Sequence, residues 1–297
     1  MSTMKWLQVS VAVHNEVAEA VAEVFSRHAP RGVVIEAGPE GWNAGPVIVR
    51  AYLPADEQLS DRKRRIKRAL GHLNQILPVP VPTFRAVAEE DWAEAWKAQL
   101  TVLHIGRQIV IQPSWLDYAP HQEDIVIRLD PGMAFGTGLH PTTQLCLAAV
   151  EDLVRPGMCL LDMGTGSGIL AIAAAKLGAA DVVAVDDDPV AVEAARANVM
   201  VNGVSDVVRV VQGSLADVPD GYDAIVINIL SRVIIEMLQA GLAARIRSQG
   251  RLIAAGIISG QEPEVIAAAE QQGLGIVERR QKDDWVCLVA RPRLGQG

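Results

Sequence analysis

One stretch constrains this chain more than any other. It reads Cys159-Leu160-Leu161-Asp162-Met163-Gly164-Thr165-Gly166-Ser167-Gly168 and continues Ile169-Leu170-Ala171-Ile172-Ala173-Ala174-Ala175-Lys176. The short apolar run reads as a buried strand, and the alanine-rich run after it as a helix that stops at Gly178. Between them the glycines alternate. Glycine lets the backbone approach a ligand closely, and the start of a helix offers unpaired N–H groups. The next apolar run, Asp181-Val182-Val183-Ala184-Val185, ends in Asp186-Asp187-Asp188. An acid at the C-terminal end of a strand, at this distance from a glycine turn, is placed to accept from ribose hydroxyls.

The pattern discriminates between nucleotides. A dinucleotide fingerprint, G-x-G-x-x-G, needs a third glycine at position 169, where this chain has Ile169. The pattern here is D-x-G-x-G-x-G. It resembles motif I of the class I methyltransferases, which bind S-adenosylmethionine. Asp162 before the glycines and Asp186 after them strengthen that resemblance.

Downstream, strand and helix patterns alternate. Asp188 is a helix cap with Pro189 at the first helical position, and Asn202-Gly203 ends that helix. Strands follow at 207–211 and 222–227, the second running into Asn228-Ile229-Leu230. Ser231 is then expected to cap a helix with Ile234, Met237, Leu238 and Leu242 inward. A strand at 251–255, a helix at 262–272 and two strands at 275–280 and 285–290 complete the chain. That hairpin-like finish to a βα alternation predicts a mostly parallel sheet with an antiparallel edge. A seven-stranded, Rossmann-like methyltransferase sheet over 121–297 fits it better than a dehydrogenase sheet.

The first 88 residues read differently. Strands are expected at 4–13, 32–36, 47–53 and 83–88, and helices at 16–28 and 60–76. The order βαββαβ is the ferredoxin-like arrangement, so 1–88 is expected to be a small α+β domain that recognises the substrate. Its second helix carries Arg62, Lys63, Arg64, Arg65, Lys67 and Arg68. This cluster is either a contact for RNA or an acidic partner or, the preferred reading, a solvated face opposite Ile66, Ala69, Leu70 and Leu73. Residues 89–120 are expected to link the domains. They hold Trp92 and Trp96, four apart on one helix face and suited to packing the joint, and two short strands that turn at Gly106-Arg107.

A strand at 125–129 leads into Asp130-Pro131-Gly132-Met133-Ala134-Phe135-Gly136-Thr137-Gly138-Leu139-His140-Pro141-Thr142-Thr143. A run so rich in Gly, Pro and Thr, directly before a helix over 142–153, suits a lid or ligand cradle. A lone histidine is more often structural than catalytic, and His140 is read that way.

Charge and cysteine content narrow the partners. The formal net charge is −8, which argues against broad binding to nucleic acid and leaves a basic protein as a compatible substrate. The three cysteines, Cys146, Cys159 and Cys287, lie far apart without C-x-x-C spacing, so neither a disulfide framework nor a metal site is implied. No apolar run reaches the length of a membrane span, and no leader-like segment opens the chain, so a cytoplasmic, monomeric protein is expected.

Taken in order and spacing, the loop at 130–143, the motif at 162–168, the acids at 186–188 and Asn228-Ile229-Leu230 resemble the bacterial ribosomal protein L11 methyltransferases. The Trp92/Trp96 segment and Trp285-Val286-Cys287-Leu288-Val289 are similar too. The resemblance covers about 89–297 well, and 1–88 only in length and topology. It implies methyl transfer from S-adenosylmethionine to lysine side-chain and N-terminal amino groups of a large-subunit ribosomal protein. It also implies cofactor contacts at Thr143, Gly164, Asp186 and Asn228. Gly166, in the same turn, is expected to join them, and Asn228, whose neutral carbonyl can accept from an amine N–H, is expected to position the amine as well. Leu139 stands where the family commonly has Thr, Thr165 where Cys is common, and Asp187 where an apolar residue is usual. Asp186, directly after the apolar strand, is preferred over Asp187 as the ribose acceptor.

Three other functions are compatible with parts of the chain. One is a class I methyltransferase acting on another protein or on a small molecule; similar enzymes for glutamine or adenine carry Asn-Pro-Pro-Tyr where this chain has Asn228-Ile229-Leu230, so planar amide or base substrates are disfavoured. A nicotinamide-dependent oxidoreductase is disfavoured by Ile169, and an RNA-binding module by the overall acidity.

Overall fold

Alternating valines and two amphipathic helices build the first unit, Met1–Leu100. The structure, a computed structural model of the 297-residue chain, describes residues 6–29, 33–36, 38, 45–74, 78–87, 101–129 and 138–293. In the first unit these form β1 (Trp6–Val13), α1 (Asn15–Ser26), β2 (Val33–Glu36), β3 (Val47–Pro54), α2 (Leu59–Leu73) and β4 (Thr83–Val87). The sheet order is β2-β3-β1-β4 with every pair antiparallel, which is the ferredoxin-like order.

The register explains the burial. Val9, Val11 and Val13 of β1 lie opposite Ala51, Val49 and Val47 of β3, so all six point to one face. That face is buried under Val17, Val21 and Phe25 of α1 and Ile66 and Leu70 of α2. The basic residues of α2 turn away from this core. Arg62 pairs with Asp56 at 2.7 Å, Arg64 pairs with Asp61 at 2.7 Å, and Lys63 lies 4.9 Å over the Phe84 ring. These are the contacts of a solvated face, as the periodicity of Ile66 and Leu70 predicts. The helix expected around Trp92 and Trp96 lies outside the described residues.

The second unit is Thr101–Gly297. It begins with β5 (Leu103–Ile105), β6 (Ile109–Pro113) and β7 (Ile125–Leu129), which form a three-stranded sheet in the order β5-β6-β7. Ile105, Ile109, Ile111, Ile127 and Leu129 join one apolar cluster with the helices that follow. The expected linker of 89–120 is therefore too long. Its described part, 101–120, contains two strands of the second unit, because alternate isoleucines there gain more by burial than a linker could. Glu151 fixes the turn between β5 and β6, accepting from the Arg107 and Gln108 N–H groups at 2.8 and 2.6 Å.

The remaining elements are α3 (Pro141–Leu153), β8 (Cys159–Met163), α4 (Ile169–Lys176), β9 (Asp181–Asp186), α5 (Pro189–Val201), β10 (Val208–Gln212) and β11 (Tyr222–Asn228). Then come α6 (Ser231–Gln239), β12 (Ile246–Ile258), α7 (Glu262–Gln271), β13 (Leu274–Lys282) and β14 (Trp285–Pro292). Seven strands form one sheet in the order β10-β9-β8-β11-β12-β14-β13. β14 runs antiparallel to both of its neighbours, and the other pairs are parallel. Side chains alternate between two apolar layers. Leu160, Ala184 and Val226 join the layer containing α3 and α4, while Leu161, Val185 and Ile227 join the layer containing α6 and α7.

Two expectations at helix starts meet different outcomes. Asp188 caps α5 as predicted, its carboxylate accepting from Val190 N–H at 2.8 Å. Ser231 does not cap α6. Leu230 holds that position, and the Ser231 hydroxyl donates instead to the Gly256 carbonyl at 3.4 Å. β12 is also longer than the expected 251–255, because its flanks pair with Tyr222 and Trp285 beyond the apolar run.

Candidate active site

In this sheet the chain leaves β8 for β9 on one side and returns to β11 on the other. Such a reversal opens a crevice at the C-terminal ends of the strands. The register fixes what lines it. Asp162 pairs with Ala184 of β9 and with Val226 of β11. Two residues further along each neighbour, on the same face, come Asp186 and Asn228, one on either side of the glycine turn after Met163.

The turn is shaped by three residues in the left-handed region, Gly164 (φ 74°), Gly166 (φ 55°) and Gly168 (φ 82°). Side chains with a Cβ resist that region. Gly164 N–H donates to Val185 O at 2.8 Å, and Gly166 N–H donates to the Asp186 carboxylate at 2.8 Å. Gly168 is the N-cap of α4, and a methyl group there would lie 3.3 Å from the Ala195 Cα of α5. It is therefore needed for close helix packing. Ile169 follows as a buried first residue of α4, so the position a dinucleotide motif leaves open is filled by core.

Asp162 supports the turn from below. It is fully buried, and one oxygen accepts from the Thr165 hydroxyl at 2.6 Å and from Ala171 N–H at 3.1 Å. Burial raises its pKa to about 7, against the downward pull of these two hydrogen bonds. Asp186 is half-buried, and its pKa is likewise raised by burial. Its second oxygen accepts from Asp188 N–H at 3.1 Å. A carboxylate has about four acceptor positions, so capacity remains for two hydroxyl donors. Asp187 is exposed, which favours Asp186 as the acid facing the crevice.

The far wall is the start of α3. His140 is its N-cap, accepting from Thr142 N–H at 3.4 Å, with its ring edge against Trp285 at 4.8 Å between centroids. Burial lowers its pKa to about 4, so the imidazole is neutral near pH 7 and serves as a capping acceptor. Thr143 is fully buried, and its hydroxyl accepts from the Asn228 side-chain amide at 3.3 Å. The Asn228 amide oxygen is buried and accepts from no group among the described residues.

Thus Thr143 meets Asn228, and Gly164 and Gly166 meet the end of β9 at Asp186. Of the loop expected as a cradle, residues 130–137 lie outside the described residues, while 138–140 lead into α3 and 141–143 form its first turn. The sequence carries one further signal, Gly256 inside the apolar run of β12, which lies at φ 85°. A glycine within a strand pattern marks a bulge or a close backbone approach. Among the described residues no group of three or more His, Cys, Asp or Glu side chains could hold a metal ion. No helix among them is long and apolar enough to cross a membrane.

The arrangement fits a nucleoside carrying an amino-acid tail. A carboxylate for ribose hydroxyls, a glycine turn at a helix start and a buried unsatisfied amide oxygen are the donor and acceptor set it needs. Comparison with known proteins agrees. A family model described as ribosomal protein L11 methyltransferase (PrmA) matches residues 5–293. A ribosomal protein L11 methyltransferase of Chloroflexus aurantiacus is 44% identical, covering 98% of this chain and 99% of that protein. One from Bacillus subtilis is 39% identical, covering 97% of this chain and 100% of that protein. The crystal structure of a ribosomal protein L11 methylase from Lactobacillus delbrueckii subsp. bulgaricus aligns with a TM-score of 0.61 at 36% identity. That alignment covers 65% of this chain and 100% of the other.

Proposed function

The chain belongs to the ribosomal protein L11 methyltransferase family, and from that premise we propose that it methylates lysine side-chain and N-terminal amino groups of ribosomal protein L11. S-adenosylmethionine, when bound, supplies an activated methyl group on a positively charged sulfur, and that charge disfavours a second cation beside it. The protein's task is to bind, to align and to present a neutral amine.

Neutrality is the harder requirement. Deprotonating a lysine of pKa near 10.4 at pH 7 costs roughly 4.6 kcal/mol, and an α-amine near 8 costs about 1.4 kcal/mol. Asn228 suits this step better than an acid would. Its neutral carbonyl accepts from an amine N–H without favouring the ammonium form, whereas a carboxylate would favour it. Thr143 holds the Asn228 amide through its NH2 group and so leaves the carbonyl for the substrate. Asp186 would take the ribose hydroxyls, and the glycine turn at Gly164 and Gly166 would let the backbone come close to the cofactor.

The observation that carries this reading is the buried, unsatisfied Asn228 oxygen beside Thr143. Leaving such an acceptor unmade costs about 1–3 kcal/mol, a cost removed when a donor arrives. Residues 1–88 are proposed to hold the substrate protein, with the stretch near 89–100 joining them to the methyltransferase unit. The working form is proposed to be a cytoplasmic monomer that makes no stable complex with nucleic acid. Intact-mass analysis of purified ribosomal protein L11, incubated with this protein and S-adenosylmethionine, tests the proposal. Methyl increments on lysine and N-terminal amines are expected, and an unchanged mass refutes it.

A further inference from the structure

β12 does not run straight past the candidate site. Its pairing with β14 shifts between Ala254 and Ile257, so β12 carries one extra residue there. Gly256 sits in that bulge at φ 85°. A methyl group on Gly256 would overlap the Ile229 carbonyl oxygen and lie 2.7 Å from its carbonyl carbon and 3.0 Å from its nitrogen. The contacts with the carbonyl oxygen and carbon are closer than real Cβ atoms show, and the obstructing atoms are backbone that no rotamer change can move. On its other side, Ile229 meets the glycine turn. A methyl group on Gly164 would lie 2.6 Å from Ile229 Cγ2. The Ser231 hydroxyl ties the segment down from beyond, donating to the Gly256 carbonyl at 3.4 Å. Ile229 is thus wedged between two left-handed glycines, its backbone against one and its side chain against the other.

We propose that Gly256 and Ile229 are positioning residues for methyl transfer: the bulge at Gly256 seats the Ile229 backbone, and the seated Ile229 fixes where the adjoining Asn228 presents its amide. This rests on the reading of Asn228 as the amine acceptor. The physical logic is that Asn228 ends β11 held on one side alone: it pairs with Ala255 of β12, while the pairing with β8 stops at Ile227. The peptide unit that follows it is the nearest handle. A bulge of one residue supplies room for that unit, and the Gly164 contact stops it from rotating. Gly164 thereby couples the cofactor turn to the amine side of the site through one aliphatic side chain.

The test is a mutant cycle on the full-length protein with two readouts. Steady-state turnover on ribosomal protein L11 is one. The other is the Asn228 side-chain amide resonance, followed by NMR without cofactor in selectively labelled protein. Gly256→Ala is expected to shift that resonance and to lower kcat on the order of a hundredfold, the usual effect of a misplaced catalytic contact. In an Asn228→Ala background, the same substitution is expected to change kcat by less than about threefold, because residues acting as a unit are not additive. Gly164→Ala is expected to be partly rescued by Ile229→Ala, which removes the colliding Cγ2, whereas Gly256→Ala is not, because its collision is with backbone.

The wedge proposal is overturned if Gly256→Ala folds and leaves the Asn228 resonance unmoved, or if its kcat loss persists in full without Asn228. Should Gly256→Ala not fold, the Gly164/Ile229 pair decides alone. Rescue supports the wedge, and equal losses with and without Ile229 overturn it. A different result separates the underlying reading. If Asn228→Ala by itself leaves kcat unchanged, the role of Asn228 falls, while a shifted resonance in Gly256→Ala still reports the wedge.

Discussion

Asn228 gives its side-chain amide to the Thr143 hydroxyl at 3.3 Å, across 85 residues of sequence, while its own buried oxygen accepts from no group among the described residues. The end of a strand is thereby locked to the first turn of a helix. Removing the lock and removing the acceptor have different consequences. Thr143→Val leaves the carbonyl present but free to turn, and is expected to lower kcat roughly tenfold. Asn228→Ala removes the acceptor and is expected to cost on the order of a hundredfold. Initial-rate assays on ribosomal protein L11 decide. Equal losses, or none, would refute the division of labour.

Asp186 is proposed to bear on affinity rather than on the chemical step. Its carboxylate also holds Gly166 and Asp188 N–H groups, so its loss affects both hydroxyl recognition and the turn. Asp186→Ala is expected to weaken S-adenosylmethionine binding by about 1–3 kcal/mol in calorimetry. Asp187→Ala, at an exposed neighbour, is expected to leave it nearly unchanged.

Two buried groups give opposite pH dependence. His140 is held near pKa 4 when folded, below the ordinary imidazole value of about 6.5. Between those values the unfolded chain binds more protons, so stability falls as pH drops through that window. Asp162 is held near 7, above its usual value. There the folded chain holds the extra proton, and stability falls as pH rises from about 4 to about 7. In melting curves from pH 4 to 8, His140→Asn, which keeps a capping acceptor, is expected to improve relative to the parent towards acid pH. Asp162→Asn is expected to improve relative to the parent towards neutral pH. Differences from the parent that do not vary with pH would contradict both assignments.

Gly168 and Gly157 separate backbone conformation from packing. Both have positive φ, but a methyl group on Gly157 meets nothing within 4 Å, while one on Gly168 meets Ala195 at 3.3 Å. Gly157→Ala is expected to cost about 1 kcal/mol in chemical denaturation, the backbone term alone. Gly168→Ala is expected to cost more, by forcing α4 and α5 apart. Equal costs would remove the packing role.

Much of this was legible in the chain itself. Apolar periodicity marks the strands and helices, Asp188-Pro189 announces a helix start, and the D-x-G-x-G-x-G pattern marks the turn between β8 and α4 beside Asp186. These are local signals, because backbone geometry ties residues a few positions apart to one face or one turn. Residues 101–120 were harder. Short strands joined by polar turns look like a linker until their isoleucines are seen to share the second unit's core.

What the linear order determined, then, is which segments fold as strands and helices, and where the glycine turn falls between β8 and α4. What only the tertiary structure decided is who meets whom: Thr143 with Asn228, Ile229 between Gly164 and Gly256, and Ser231 turned from its own helix towards β12. The reason is physical. Those contacts depend on strand order and register, which are set by how two apolar layers pack against one sheet, and no short-range pattern encodes that distance.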